Sequence, residues 1–123
     1  MAGAGATILG VSGTRLTADE RAFLREARPF GFILFSRNID DADGVRRLCD
    51  ALRDAVGREA PVFIDQEGGR VARLGPPLAR AWAPPLDDVR RAGAGAARML
   101  WLRYRLIAAE LRALGIDGNC APV

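Results

Sequence analysis

The sequence predicts an α/β fold built on a parallel sheet, and three observations carry this prediction. Short apolar runs alternate with segments of helical period along all 123 residues. One of the runs, Gly31–Phe35 (GFILF), is continuously apolar, as in a parallel strand that is covered on both faces. A composition of 50% hydrophobic and 27% charged residues fits a single globular domain. We therefore expect four strands and three helices, joined by right-handed crossovers.

The first strand and helix are predicted from residues 6–28. Ala6–Val11 is a short apolar run, which indicates a strand. Thr17 and Glu20 have the T-x-x-E spacing of a capping box, which predicts the start of a helix. That helix should end before Pro29, because proline cannot continue the helical hydrogen bonding. Gly31–Phe35 is then the second strand.

The second helix has the clearest pattern in the chain. Asp40 or Asp41 can cap its start, and Gly57 marks its end. Its apolar residues have the spacing of one helix face: Val45, Leu48, Cys49, Leu52 and Val56. Pro61–Ile64 follows as a third apolar run and is the predicted third strand.

The second half of the chain begins with a proline-rich stretch, residues 75–86, which predicts a long loop. A long helix should follow from about Ala92 to Gly115. One apolar stripe of this helix consists of Met99, Leu102, Leu106, Ala109 and Ala113, and Leu100, Ile107, Leu111 and Leu114 lie beside it. Ile116–Val123 is the predicted fourth strand.

Two architectures agree with this order of elements. A flavodoxin-like doubly wound domain fits the length, whereas a (β/α)8 barrel needs about 250 residues and would be represented by its first half. The sequence stops on a strand with no helix after it, which favours the half-barrel.

Several classes of function are excluded because the sequence lacks the residue types that they need. The chain has no His and all 18 of its basic residues are Arg, so it cannot supply a Ser-His-Asp triad, an HExxH zinc site or a catalytic lysine. Cys49 and Cys120 lack a CxxC spacing, so we expect two small core residues and no metal site. The arginines are spread along the chain against 15 acidic residues, which does not indicate nucleic-acid binding.

The sequence also gives no indication of a membrane location. No apolar stretch approaches the roughly 18 residues of a membrane span, and the N-terminus lacks the basic start of a signal peptide. We therefore expect a cytoplasmic protein without a membrane partner.

The candidate site follows the third strand, at the edge where both architectures place their ligands. Asp65 is the favoured ligand-binding residue. Glu67 lies on the same face of the strand as Asp65, whereas the two catalytic acids of a glycosidase must lie on opposite sides of the bond, so Asp65 and Glu67 are not expected to be such a pair. Glu67 is better explained as a loop-stabilising acceptor for backbone amides or Arg70. Gly68-Gly69 allows a turn of positive φ or a close backbone approach. Arg70 and Arg73 can bind hydroxyls or a carboxylate, or can be ordinary solvated arginines.

Four segments of the chain together carry the pattern of a known family. In their order and intervals they resemble the N-terminal part of glycoside hydrolase family 3, and within it the bacterial β-N-acetylglucosaminidases (β-hexosaminidases) of cell-wall recycling. The resemblance covers nearly the whole chain, and its most specific element is DQEGGRVxRL. The segments are GFILFSRN (Gly31–Asn38), FIDQEGGRVARL (Phe63–Leu74), AAELRALGID (Ala108–Asp117) and NCAPV (Asn119–Val123).

The resemblance implies a (β/α)8-type barrel and a retaining glycosidase that removes terminal β-linked N-acetylglucosamine from peptidoglycan-derived sugars. The family's aspartate nucleophile and its histidine acid/base both lie beyond the fourth strand. We therefore expect no catalytic residue in this chain, which would be an inactive fragment. Residues 1–123 would be one partial barrel domain, truncated within the fourth strand.

The resemblance also implies roles for the residues of the DQEGGRVARL segment. Asp65 would accept hydrogen bonds from hydroxyls of the N-acetylglucosamine, and Arg73 would donate to the same sugar. The supporting residues would be Glu67, Gly68, Gly69 and Arg70. No metal or organic cofactor is implied, and the expected partner is a carbohydrate, a muropeptide-derived sugar.

A second hypothesis comes from a different class of protein. The chain could be a self-contained, non-catalytic α/β module that holds a sugar or an ion with the carboxylates after its third strand. Its length favours this alternative. The fourth strand without a covering helix, and the ordered resemblance, argue against it.

Overall fold

The computed structural model describes residues 3–121, which form a parallel sheet, a small antiparallel hairpin and four α-helices. The strands of the parallel sheet are β1 (Gly5–Leu9), β2 (Pro29–Leu34), β3 (Val62–Ile64) and β6 (Gly118–Asn119). The hairpin pairs β4 (Gln66–Gly68) with β5 (Val71–Ala72). The helices are α1 (Ala18–Ala27), α2 (Ala42–Val56), α3 (Pro85–Ala92) and α4 (Ala96–Ala113).

The order of strands in the parallel sheet decides between the two predicted architectures. It is β1-β2-β3-β6, which is the order along the chain. A flavodoxin-like sheet would place its first strand between the second and the third. Successive right-handed crossovers in one direction put the connecting helices on one face of the sheet, as in a barrel. The prediction of a barrel-type arrangement is confirmed.

The two faces of the sheet differ in their cover. Phe32 pairs with Val62 and Leu34 with Ile64, and all four side chains are buried in the core. The opposite face carries Ile8, Ile33 and Phe63, since Ile8 lies beside Gly31, and Ile33 beside Phe63. Ile8 is 47% exposed, and neither Ile33 nor Phe63 is fully buried. We call these three residues the inner face.

The first two helices form largely as the sequence predicts. Thr17 and Glu20 make the capping box of α1, which ends at Ala27. Asp41, and not Asp40, caps α2 by accepting a hydrogen bond from the amide of Gly44 at 2.7 Å. The predicted apolar face of α2 is buried except at Val56, which is partly exposed.

The structure corrects the prediction for residues 75–113. The helix α3 begins inside the expected loop, with Pro85 in its first turn, where proline needs no amide hydrogen bond. In α4 the buried residues are Arg103, Ile107 and Leu111, whereas Leu102 and Leu106 of the predicted first stripe are exposed. The buried face of this helix is therefore the second predicted stripe, which includes Ile107 and Leu111, and not the first.

The last strand and the two cysteines also differ from expectation. The strand β6 is short, and Pro122 and Val123 of the predicted strand lie outside the described residues. Cys49 is buried as expected, but Cys120 is exposed because it follows β6 at the edge of the sheet. Within residues 3–121, none of the helices has both the length and the apolar character that crossing a membrane requires.

Candidate functional site

Three side chains of the candidate site follow the carboxyl ends of neighbouring strands. Asp65 comes directly after β3, Phe35 directly after β2, and Cys120 directly after β6. Because parallel strands end at the same edge, these residues share one edge of the sheet, and this edge is where barrel folds bind their ligands. We call it the Asp65 edge.

Asp65 and Arg73 form an ion pair at this edge. The distance from Arg73 Nη2 to Asp65 Oδ2 is 2.9 Å, and the side chains are 28% and 21% exposed, respectively. The β4–β5 hairpin brings the two together, and the amide of Arg73 also donates to the Asp65 carbonyl at 3.3 Å. A partly exposed carboxylate beside a guanidinium presents an acceptor and a fixed donor to the same ligand.

The aromatic ring of Phe35 lies between two arginines. The guanidinium carbon of Arg37 is 4.9 Å from the ring centroid, and that of Arg73 is 5.7 Å from it. The partly buried ring thus adds an apolar surface next to the polar pair. Binding sites for small molecules commonly combine apolar walls with a few fixed polar groups.

Gln66 and Asn119 fix the base of the hairpin, and the sequence did not single out either residue. The Gln66 amide donates to Asn119 Oδ1, and Asn119 Nδ2 donates to the Gln66 carbonyl, both at 2.9 Å. The Gln66 side chain is fully buried, donates to the Leu74 carbonyl, and accepts from the amides of Arg73 and Leu74. This clamp holds Arg73 in reach of Asp65. The only signal in the sequence was that Gln66 is a polar residue two positions after an apolar strand.

Asn38 plays the corresponding part between β1 and β2. Its Nδ2 donates to the carbonyls of Val11 and Gly13, and its Oδ1 accepts from the amide of Phe35. The side chain is completely buried, so each of these hydrogen bonds has no competition from water. Asn38 therefore fixes Phe35 relative to the end of β1.

The two glycines of the candidate segment shape the hairpin. Gly68 has φ of 106° and Gly69 has φ of 62°, a region that side chains disfavour. A Cβ on Gly68 would collide with the Arg103 guanidinium, and one on Gly69 would lie 2.7 Å from Pro84 Cγ. The close approach that these glycines permit is thus to the protein itself.

Glu67 and Arg70 make few contacts. The Glu67 carbonyl accepts a hydrogen bond from Arg103 Nη2 at 2.6 Å, and Arg70 is exposed. Between residues 3 and 121, neither the Glu67 carboxylate nor the Arg70 guanidinium forms a hydrogen bond or ion pair. Among these residues Glu67 is therefore not the acceptor for backbone amides or Arg70 that the sequence suggested, and a supporting role of Glu67 and Arg70 remains a prediction.

Arg103 of α4 is a residue that the sequence did not identify. Its side chain is 1% exposed and pairs with Asp88 of α3. Its Nη2 donates to the carbonyls of Glu67 and Ala83 at 2.6 and 2.7 Å. One guanidinium therefore joins the hairpin, the proline-rich loop and both helices. Nothing distinguishes it by sequence from the other arginines of α4.

Cys120 is the third polar group at the Asp65 edge. Burial raises the pKa of this thiol, and the negative charge of Asp65 and a hydrogen bond to Asp65 raise it further, so the thiol is protonated at neutral pH. A protonated thiol is a weak donor to the carboxylate. Among residues 3–121, no group of three Cys, Asp or Glu side chains is placed to hold a metal ion.

Comparison with known proteins agrees with the family pattern of the sequence. The chain is 40% identical over 122 residues to a β-hexosaminidase of Stenotrophomonas maltophilia (strain K279a), an alignment that includes 94% of this chain and 35% of that protein. The chain thus spans about a third of the length of the curated relatives that it matches. A search against models of protein families found no match.

Two solved structures have the same fold over nearly the whole of this chain. NagZ from Neisseria gonorrhoeae in complex with N-trifluoroacetyl-D-glucosamine matches 97% of this chain with a TM-score of 0.85 and 26% identity, over 35% of its own length. A family 3 β-N-acetylglucosaminidase from Paenibacillus sp. str. FPU-7 matches 94% of this chain with a TM-score of 0.80 and 30% identity, over 22% of its length. The predicted resemblance to family 3 glycoside hydrolases is confirmed.

Proposed function

We propose that this chain contributes part of the sugar-binding edge of a β-N-acetylhexosaminidase. The observation that carries the proposal is the Asp65–Arg73 ion pair at the carboxyl end of β3, in a chain 40% identical to a β-hexosaminidase. In this proposal residues 1–123 belong to one barrel domain. The nucleophile and the acid/base belong to the part of the enzyme that these residues do not include.

The two side chains would divide the binding of one N-acetylglucosamine unit. The Asp65 carboxylate accepts hydrogen bonds from hydroxyls of the sugar, and the Arg73 guanidinium holds that carboxylate in its orientation. Arg73 uses Nη2 for Asp65, which leaves its other terminal nitrogen for the sugar. Phe35 supplies the apolar wall, and the Gln66–Asn119 clamp maintains the spacing. None of these steps uses a metal or an organic cofactor.

The finer parts of the function rest on the resemblance alone. We infer that the substrates are muropeptide-derived sugars with a terminal β-linked N-acetylglucosamine, hydrolysed with retention of configuration. The corresponding place of action is the cytoplasm. The catalytic carboxylate and acid/base would act across the barrel mouth from the Asp65 edge.

The test is an Asp65→Ala substitution in the complete polypeptide that the coding sequence specifies. Losing a charge-assisted acceptor should lower kcat/KM for an aryl N-acetyl-β-D-glucosaminide by at least about tenfold, with an unchanged circular dichroism spectrum. Asp50→Ala is the matched control, because Asp50 is exposed on α2. The control should leave kcat/KM within about twofold.

Two results would contradict the proposal. Equal kinetics for Asp65→Ala and the parent would remove Asp65 from the sugar site. A complete polypeptide without any hexosaminidase activity would favour the alternative, a module that binds a sugar or an ion without catalysis.

A further inference from the structure

A cavity lined by three arginines lies between α1 and α2, and none of its lining residues is one that the proposed sugar site uses. Its volume is about 370 Å³, within the range of about 300 to 1,000 Å³ of small-molecule pockets. The arginines come from three segments: Arg15 from the loop after β1, Arg21 from α1, and Arg47 from α2. Leu16 and Leu48 form an apolar part of the wall.

The charges of these three arginines are not balanced inside the protein. Within residues 3–121, none of the three guanidiniums forms an ion pair or a hydrogen bond. Among the described residues, Asp40 supplies the only carboxylate of the wall, and it accepts a hydrogen bond from the amide of Asp41 at 2.8 Å. The arrangement leaves two uncompensated positive charges that repel one another.

Most arginines of residues 3–121 form no ion pair, and what sets these three apart is that they line one cavity. Arg53, Arg73 and Arg103 each have a carboxylate within 3 Å. The partial positive charge at the start of α2 is not the source of the cavity's charge, because the side chain of Asp41 already caps that end of the helix. The positive charge of the cavity therefore comes from the side chains of Arg15, Arg21 and Arg47.

The loop that carries Arg15 is held in place at both ends. Glu20 accepts hydrogen bonds from the amide of Ser12 at 2.8 Å and from the amide of Thr17 at 2.9 Å. Asn38 donates to the carbonyl of Gly13 at 2.8 Å. Because the loop is already fixed, a ligand that binds Arg15 has a smaller entropic cost for ordering this part of the chain.

We propose that this cavity binds a phosphomonoester dianion that carries a small apolar group. Two net positive charges match a dianion, and a single carboxylate would neutralise only half of them. The planar guanidinium fork fits phosphate oxygens, and all three arginines line the same cavity. Leu16 and Leu48 accept the apolar substituent. The site shares no lining residue with the sugar-binding site of the proposed function.

Phenyl phosphate is the probe, and its binding is measured by titration calorimetry at low salt, with the complete polypeptide that the coding sequence specifies. Benzoate has the same ring and one negative charge, so it should bind at least about tenfold more weakly. Arg21→Gln and Arg47→Gln should each raise the Kd for phenyl phosphate about tenfold, because each removes a charge-assisted donor. Arg25→Gln is the matched control on α1: its side chain is exposed and outside the cavity, and the Kd should not change.

Several results would overturn the proposal. These are no binding of phenyl phosphate at about 10 mM, equal affinity for benzoate, or an equal loss of affinity in Arg25→Gln. Displacement of phenyl phosphate by N-acetylglucosamine would place it at the sugar edge instead. Arg15→Gln in the loop is the further variant if a helix variant does not fold, and it should also raise the Kd about tenfold.

Discussion

Glu20 shows how one carboxylate can fix a loop and make stability depend on pH. Burial by itself raises its pKa, but the hydrogen bonds from Thr17 and Ser12 outweigh that effect and lower the pKa from 4.5 to about 2. A lowered pKa in the folded state means that the ionised form stabilises the fold. This contribution is complete above about pH 4.5 and is lost as the pH falls towards 2.

We therefore expect Glu20→Gln to lower the free energy of unfolding at pH 7. The difference between parent and variant should shrink as the pH falls from about 4.5 to about 2, since the parent then loses the charge as well. Urea unfolding of parent and variant at a series of pH values measures this difference in the free energy of unfolding. Glu26→Gln at the exposed end of α1 is the control. A difference that does not change over this pH range would contradict the hydrogen-bonding explanation.

At the scale of single residues, the sequence located part of the candidate site. Asp65 could be placed because it directly follows a short apolar run that predicts a strand. Gln66 and Asn119 could not be paired, because they are 53 residues apart and their contact depends on β6 lying beside β3. The exposure of Cys120 was missed for the same reason, since the length of a short strand depends on its neighbours.

At the scale of elements, Arg103 joins parts of the chain that local patterns do not connect. It ties α4 to α3 through Asp88 and to the hairpin through the Glu67 carbonyl. The sequence predicted α1 and α2 well, because their caps and apolar faces are local. It missed α3 because prolines at positions 84 and 85 indicate a loop, although a proline also fits the first turn of a helix.

Replacing Arg103 should therefore loosen this junction. We expect Arg103→Met to lower the free energy of unfolding by about 3 kcal/mol or more, because it breaks a buried ion pair and leaves buried carbonyls without a donor. Arg112→Met, at an exposed position near the end of α4, should change it by less than about 0.5 kcal/mol. Denaturant titration of both variants measures the difference. Equal stabilities would show that the Arg103 network contributes nothing to folding.

At the scale of the whole molecule, the order of strands explains why one side of the sheet is open. All crossovers run in one direction, so the helices cover one face. On the inner face, Ile8 is exposed and Ile33 and Phe63 are only partly buried by residues 3–121. The sequence alone left the barrel and the doubly wound sheet as alternatives, because both have alternating strands and helices. Only the pairing of strands distinguishes them.

The open inner face predicts how the isolated 123-residue chain behaves. It exposes apolar strand residues, and β1 and β6 each have one unpaired edge within the described part of the chain, so we expect self-association rather than a stable monomer of 13.2 kDa. Light scattering coupled to size exclusion measures the mass. Replacing both Ile8 and Ile33 with Ser should reduce association, whereas Phe23→Ser should not, because Phe23 is exposed on α1 away from the sheet. A monodisperse parent chain with a sharp, cooperative unfolding transition would contradict this prediction and favour a self-contained module.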